Sequence, residues 1–543
     1  MSRFLKDNVK ERVHDIGDTG LHLLKRGQKG LFHALFSRFG LVLLLLVLQV
    51  GILFSMFYRF GQLLPHYFGG TTVLEIIMVV YLINTDMDNS AKITWLVVMA
   101  VVPVLGIPLF WYTKSNLGHN MLRKQVLTQG LEMRLHLHQD EVAQHTLQKL
   151  DPGAAALGNY LMGRGGGFPV YGDTRTTYFP GGEAMLDELL DQLGRAEKYI
   201  FVEYFIIDEG IMWGRILEVL ARKAAEGVDV RVMYDGTCEF STLPRDYAQR
   251  LAKLGIRGQA FAAVQPLVST HYNYRDHRKI LVIDGRVGFT GGVNLADEYI
   301  NAIEKYGRWK DAALMLEGAA VQSLTALFLQ MWTVATGARV EEYKQFLAPQ
   351  DAAKAPDGAT GFAAPYGDSP LDGERVGELV YIDLINRAQR YIHIMTPYLI
   401  LDGELETALV FAAARGVDVH LILPGIPDKR MVYSLAKNHY AALLKAGVKI
   451  SEWQPGFVHA KVFAVDGREA VVGTINLDYR SLYHHFENAV WLVDAACIAD
   501  IEADFQATLS DCRHVELSAA SIWKGHALLQ PIGALLKLLA PLL

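Results

Sequence analysis

HRKILVIDGRVGFTGGVNL (His277–Leu295) is matched 182 residues later by HAKVFAVDGREAVVGTINL (His459–Leu477). Both read H-x-K-x4-D-x6-G-x2-N, so one spaced set of polar residues occurs twice in the chain. In each copy apolar, β-branched runs flank an Asp-Gly turn, the pattern of a β-hairpin. With residues 466–469 as the loop, Val465 faces Ala470, Lys461 faces Thr474 and His459 faces Asn476. Opposed residues of an antiparallel pair share a face, so His459, Lys461 and Asn476 converge on one patch. The same spacing pairs His277 with Asn294 and sets Lys279 opposite Gly292. Asp284 and Asp466 fall in the turns, remote from the histidines, as turn-stabilising or packing residues.

These residue types suit one kind of chemistry. Histidine offers a nucleophilic or proton-transferring nitrogen near neutral pH. Lysine and asparagine carry donors toward an anionic oxygen. Nothing in the patch resembles a metal shell, because a protonated lysine is a poor ligand and the motif carboxylate sits in the turn. One patch binds a phosphate. Two facing patches allow covalent chemistry, with one histidine attacking phosphorus and the other protonating the leaving oxygen. For a single H-x-K a structural histidine is the plainer reading. Five matched positions in each of two copies favour function.

The repeat extends beyond the motif. YIFVEYFII from Tyr199, a helix ending at Gly227 and the strand VDVRVMYDG form a βαβ unit with parallel strands. YIHIMTPYLI from Tyr391, a helix ending at Gly416 and VDVHLILPG repeat it. A period near 185 residues indicates a duplicated domain rather than a solenoid. The Pro/Gly/Ala-rich residues 347–370 read as the linker between a first half at 150–346 and a second at 371–515.

The chain has 543 residues and a formal net charge of -6, which argues against a nucleic-acid-binding surface over the whole protein. Its cysteines, Cys238, Cys497 and Cys512, form no CxxC pair and suggest neither a disulfide scaffold nor a zinc site. Mean hydropathy is +0.17, and the cause is local. Residues 39–58 have the length and composition of a transmembrane helix, and residues 71–83 and 93–112 are further candidates. Two or three spans within 39–115 are therefore expected. Residues 1–38 hold eight Lys/Arg against four Asp/Glu, which favours a cytoplasmic N-terminus and a basic amphipathic segment along anionic headgroups. Three full spans would place the large C-terminal part outside, and two would keep it inside. The apolar tail at 516–543 could dip into the interface or pack on the domain.

The doubled H-x-K-x4-D-x6-G-x2-N resembles the HKD motif of the phospholipase D superfamily, over roughly residues 165–515. Two such motifs behind apolar N-terminal segments, with NLDYRSLYHHFEN at residues 476–488, resemble the bacterial cardiolipin synthases. The resemblance implies an α/β fold of two tandem phospholipase D-like βαβ sandwich domains, with the active site between them and transmembrane helices before them. It implies a multi-pass protein of the bacterial cytoplasmic membrane, acting on phospholipids such as phosphatidylglycerol, with no nucleic acid, metal or other cofactor. The implied reaction passes a phosphatidyl group through a phosphohistidine to an alcohol, making cardiolipin and glycerol. A phospholipase D-type hydrolase, with water as acceptor, shares the covalent half-reaction. The motif carries over as the catalytic set His277, Lys279, Asp284, His459, Lys461 and Asp466. His277 would be the nucleophile and His459 the acid and base. Lys279, Lys461, Asn294 and Asn476 would hold phosphoryl oxygens. The family's Gly-Ser appears as Gly291-Gly292 and Gly473-Thr474, so the first copy lacks a hydroxyl donor. An acid that orients each histidine is expected downstream of each motif: Glu487 in the second half and, with a six-residue insertion, Asp311 in the first. Glu203, inside an apolar strand, could line the site or be a satisfied core carboxylate.

Overall fold

The computed structural model describes residues 68–517, apart from 86, 102–105, 108–109, 112–116, 263–273 and 348–355, together with Gly51 and Ser55. It divides into two compact units.

The smaller unit includes the helix α1 (Phe68–Ile83) and the later part of α2 (Asn89–Val101). Met78, Leu82, Trp95, Met99 and Phe110 form its apolar cluster. At 1.5 Å per residue the 16 residues of α1 reach about 24 Å, short of a hydrocarbon core of about 30 Å. Among the described residues no helix is long and apolar enough to cross a membrane. This overturns the multi-pass membrane placement expected from hydropathy. The run 39–58, the basic segment 1–38 and the tail from 518 lie outside the described residues, apart from Gly51 and Ser55.

The larger unit contains two sheets of one design. The first uses β1 (Thr174–Phe179), β2 (Tyr199–Tyr204), β3 (Asp229–Asp235), β4 (Arg257–Phe261), β6 (Lys279–Ile283), β7 (Val287–Gly291) and β9 (Ala313–Gly318). Their order is β1-β9-β7-β6-β2-β3-β4. The short β5 (Arg275–Asp276) and β8 (Arg308–Lys310) stand outside it. The second uses β10 (Phe362–Asp368), β11 (Tyr391–Met395), β12 (Asp418–Pro424), β13 (Lys449–Trp453), β15 (Val462–Val465), β16 (Glu469–Gly473), β17 (His485–Val493) and β18 (Cys512–His514), while β14 (Gly456–Val458) pairs elsewhere. Its order, β10-β17-β16-β15-β11-β12-β13, is the first sheet's order strand for strand, with β18 added at the edge. In both, the βαβ strands are parallel and the motif hairpin is antiparallel.

β2 and β6 are buried at every residue, because helices cover both faces. α3 (Ile211–Ala225) turns Trp213, Ile216 and Leu220 onto the outer face. α4 (Val321–Thr336) is buried nearly all round, as a helix packed between layers must be. One apolar core joins it to both sheets, from Phe201 and Val282 to Ile394 and Val471.

Two details differ from the sequence reading. Residues 362–368, read as part of the linker, form β10, which pairs along β17 from Phe362↔Val493 to Asp368↔Glu487. The Pro/Gly/Ala composition hid an edge strand whose residues are mostly buried. The hairpins are also one residue tighter than expected. Asp466 and Gly467 both take left-handed backbone, the Arg468 amide donates to the Val465 carbonyl, and Val465 pairs with Glu469, not Ala470. Lys461 therefore lies by Gly473, and Lys279 opens the strand facing Gly291 rather than Gly292.

Candidate active site

Backbone pairing between the halves builds the site. β5 of the first half runs parallel to the start of β17, with Asp276 level with Phe486. The next residues, His277 and Glu487, are then neighbours, and the His277 amide donates to the Phe486 carbonyl at 2.9 Å. The reciprocal strip pairs β14 with β8, with Val458 level with Lys310. There the His459 amide donates to the Lys310 carbonyl at 2.6 Å.

Each histidine consequently meets the acid of the other half. His277 Nδ1 lies 2.9 and 2.8 Å from the Glu487 carboxylate oxygens. His459 Nδ1 lies 2.7 Å from Asp311 Oδ2. Downstream position suggests a pairing of each acid with its own motif, and the structure corrects it: the acids are exchanged. Nearness in sequence gives no sign of this, because the exchange is made by strands β5, β8 and β14, of three residues or fewer.

The electrostatics follow from burial. Burial would raise both acids, but the histidines beside them hold the Glu487 and Asp311 carboxyls below the usual range. An ionised carboxylate only accepts, so Nδ1 of each imidazole carries its proton and the Nε2 lone pair is free. Burial pushes His277 well below its ordinary value against the pull of Glu487. Burial, reinforced by Lys461, pushes His459 down to about 4. Lys279 falls to about 7 and Lys461 to about 8, again through burial, with both acids pulling the other way. Lys279 Nζ donates to the His277 carbonyl at 2.6 Å, and Lys461 Nζ to the His459 carbonyl.

The remaining expected residues divide. The Asp284 carboxylate accepts the amides of Glu197, Lys198 and Tyr199 at 2.8, 2.7 and 2.8 Å. Asp466 accepts those of Gln389, Arg390 and Tyr391, each at 2.8 Å. Both aspartates therefore tie the motif turn to the strand that opens the βαβ unit, as the hairpin argument expects, and touch neither histidine. Their place in the catalytic set is corrected accordingly. The Thr474 hydroxyl donates to Glu487, so it steadies a carboxylate instead of offering its proton to a phosphate. Gly292 is small for a matching reason: a Cβ there would lie 2.0 Å from Asp311 Oδ1. Asn294 donates to Tyr299 Oη at 2.7 Å and accepts the Ile206 amide at 3.1 Å. Asn476 Oδ1 is buried with no hydrogen-bond partner. Glu203 is a buried partner of Arg278, 2.8 Å from its Nε.

Aromatic rings flank both histidines and were missed in the sequence. Phe205 stands edge-on to His277 at 4.9 Å, and Tyr299 and Trp309 flank His459 at 5.4 and 5.3 Å. His485 was also missed, with its ring 5.3 Å from that of His277. The signal was its spacing, since His485 and Glu487 are two apart on one strand and share a face.

A family model described as "Cardiolipin synthase, PLD-like domain" matches residues 189–332 and 381–509. A cardiolipin synthase of Halalkalibacterium halodurans is 31% identical over 475 residues, covering 86% of this chain and 92% of the relative. Cardiolipin synthase 2 of Bacillus anthracis is 34% identical over 439 residues, covering 79% and 82%. An uncharacterized protein of Streptococcus mutans is 52% identical over 465 residues, covering 86% and 99%. The crystal structure of a phosphatidylserine synthase from Haemophilus influenzae superposes with a TM-score of 0.55 at 16% identity, over 73% of this chain and 98% of that one, and shares the fold. With both halves matched by the family model and most of its length by these relatives, the chain belongs to the cardiolipin synthase family of phospholipase D-like proteins.

Proposed function

We propose that the protein is a phosphatidyltransferase that joins two phosphatidylglycerols into cardiolipin and releases glycerol, working at a membrane surface. The observation that carries this reading is the reciprocal pairing of two histidine–acid couples, each built from both halves. His277 Nε2 attacks the phosphorus of the first lipid. An N–P bond forms and the bond from phosphorus to the glycerol headgroup oxygen breaks. His459, as imidazolium, gives that oxygen a proton, and glycerol leaves. The neutral His459 then takes the proton of a hydroxyl on the second lipid. That oxygen attacks phosphorus, the N–P bond breaks, and cardiolipin is released. Burial depresses His459 most and the lysine charges add to it; a phosphodiester anion beside Lys279 and Lys461 offsets that added charge, so lipid binding favours the imidazolium the first step needs.

In this reading residues 150–346 and 371–515, the latter extended back to include β10, are the two domains. The unpartnered Asn476 Oδ1 faces substrate polar groups, and Tyr299, held by Asn294, positions His459. The test incubates the full-length protein in detergent with phosphatidylglycerol and EDTA and resolves the lipids by mass spectrometry. Cardiolipin with equimolar glycerol is expected. Phosphatidic acid without cardiolipin would make water the acceptor and overturn the transferase reading.

A further inference from the structure

His485 takes no part in the transfer, yet it is buried beside it. It is 8% exposed, and its Nδ1 makes no hydrogen bond. A buried polar atom whose nearest partner is one long carboxylate contact is poorly satisfied and calls for an explanation. The atom lies 3.4 Å from Glu487 Oε1, while His277 Nδ1 lies 2.8 Å from the same carboxylate. His277, His485 and Glu487 thus offer three ligand atoms within 4.8 Å of one another, all from buried residues. Two imidazoles and a carboxylate are a donor set that zinc favours. Donors about 2.1 Å from a tetrahedral ion stand about 3.4 Å apart, so only small adjustments are needed.

We propose that this cluster is a site for a zinc-class divalent cation, and that occupancy switches off the transfer by capturing His277. The inference rests on the proposed role of His277 as nucleophile. An ion on Nδ1 takes the lone pair left when that nitrogen gives up its proton. The displaced proton moves to Nε2, giving the other neutral tautomer, which has no lone pair there for phosphorus. Glu487 is drawn from His277 to the ion in the same event. Occupancy therefore removes both the nucleophile and its orienting acid, and chelation restores them.

The test uses full-length protein in detergent, stripped with EDTA and dialysed. One equivalent of Co²⁺ should give the visible absorption of a four-coordinate site, and Zn²⁺ should displace it. Zn²⁺ should abolish cardiolipin formation at the same stoichiometry, with recovery on EDTA. His485→Gln should weaken Co²⁺ binding and raise the Zn²⁺ needed for half-inhibition, each by about 100-fold, relative to that variant's own EDTA-treated activity. Glu487→Gln, read by the cobalt band alone, provides a second variant should His485→Gln not fold. An unchanged band in either folded variant, or full wild-type activity with stoichiometric Zn²⁺, would overturn the proposal. Because the band needs no turnover, a protein that makes no cardiolipin would defeat the proposed function while the band still decides the metal site.

Discussion

Replacing Glu487 by glutamine tests the exchange of acids between the halves. The carboxylate is fully buried, accepts from His277 Nδ1 at 2.8 Å and also takes the Thr474 hydroxyl. The amide keeps the shape but removes a unit charge and puts a donor where both neighbours donate. One charge-assisted hydrogen bond is worth about 1.5–3 kcal/mol, and an uncompensated buried cation adds to the loss. A rise of about 3–5 kcal/mol in the barrier corresponds to about a 10²–10⁴-fold fall in kcat, at 1.36 kcal/mol per decade. The informative assay compares two donors, phosphatidylglycerol and a phosphatidyl ester of p-nitrophenol, whose leaving group needs no proton. Glu487→Gln should slow the first burst with both donors, because the nucleophile itself is misaligned. Asp311→Asn should slow the burst with phosphatidylglycerol about 100-fold or more yet leave the p-nitrophenol burst nearly intact, because only the proton donor is lost. The opposite pattern would refute the exchanged pairing, or the assignment of His277 as nucleophile.

Three further outcomes follow from the same geometry. Burial holds Lys279 down to about 7, so kcat/KM for an anionic lipid should fall as pH rises through about 7 to 8; Lys279→Arg should move that alkaline limb up toward about 8, where Lys461 loses its proton, and an unchanged limb would exclude Lys279 as its source. Gly292→Ala places a Cβ 2.0 Å from Asp311 Oδ1 and 3.1 Å from the His459 carbonyl, so steady-state kinetics should show a loss close to that of Asp311→Asn. Asp284→Ala strands three backbone amides and should cost about 2–4 kcal/mol in denaturant unfolding while leaving activity per folded molecule largely intact; a specific loss of kcat at unchanged stability would restore Asp284 to the chemistry.

Much of the fold was legible because it is written twice. The repeated βαβ unit and Asp-Gly hairpin require neighbouring parallel and antiparallel strands, and both sheets supply them in one order. Legibility ended where short-range pattern stops being informative. Hairpin register was missed by one residue because it depends on left-handed backbone at Asp466 and Gly467, which apolar alternation does not reveal. β10 was hidden by composition, since Pro365 and glycines read as linker while edge pairing with β17 tolerates them. Apolar content near the N-terminus suggested spans, whereas the described helices there are too short to cross. At the site, both histidines and both lysines were identifiable from spacing, whereas both acids came only from the family resemblance, Asp311 with an assumed insertion. Which acid serves which histidine was not legible, because strands of two or three residues carry that information across about 150–210 positions.

The central claim is that one histidine, His277, carries the phosphatidyl group, aligned by an acid from the other half. Wild-type protein would be quenched in acid-free denaturant milliseconds after mixing with phosphatidylglycerol in EDTA, digested, and its peptides mapped by mass spectrometry. A phosphatidyl adduct on His277, absent in Glu487→Gln and retained in Asp311→Asn with the p-nitrophenol donor, is the expected result. An adduct on His459, or no adduct while cardiolipin accumulates, would contradict it.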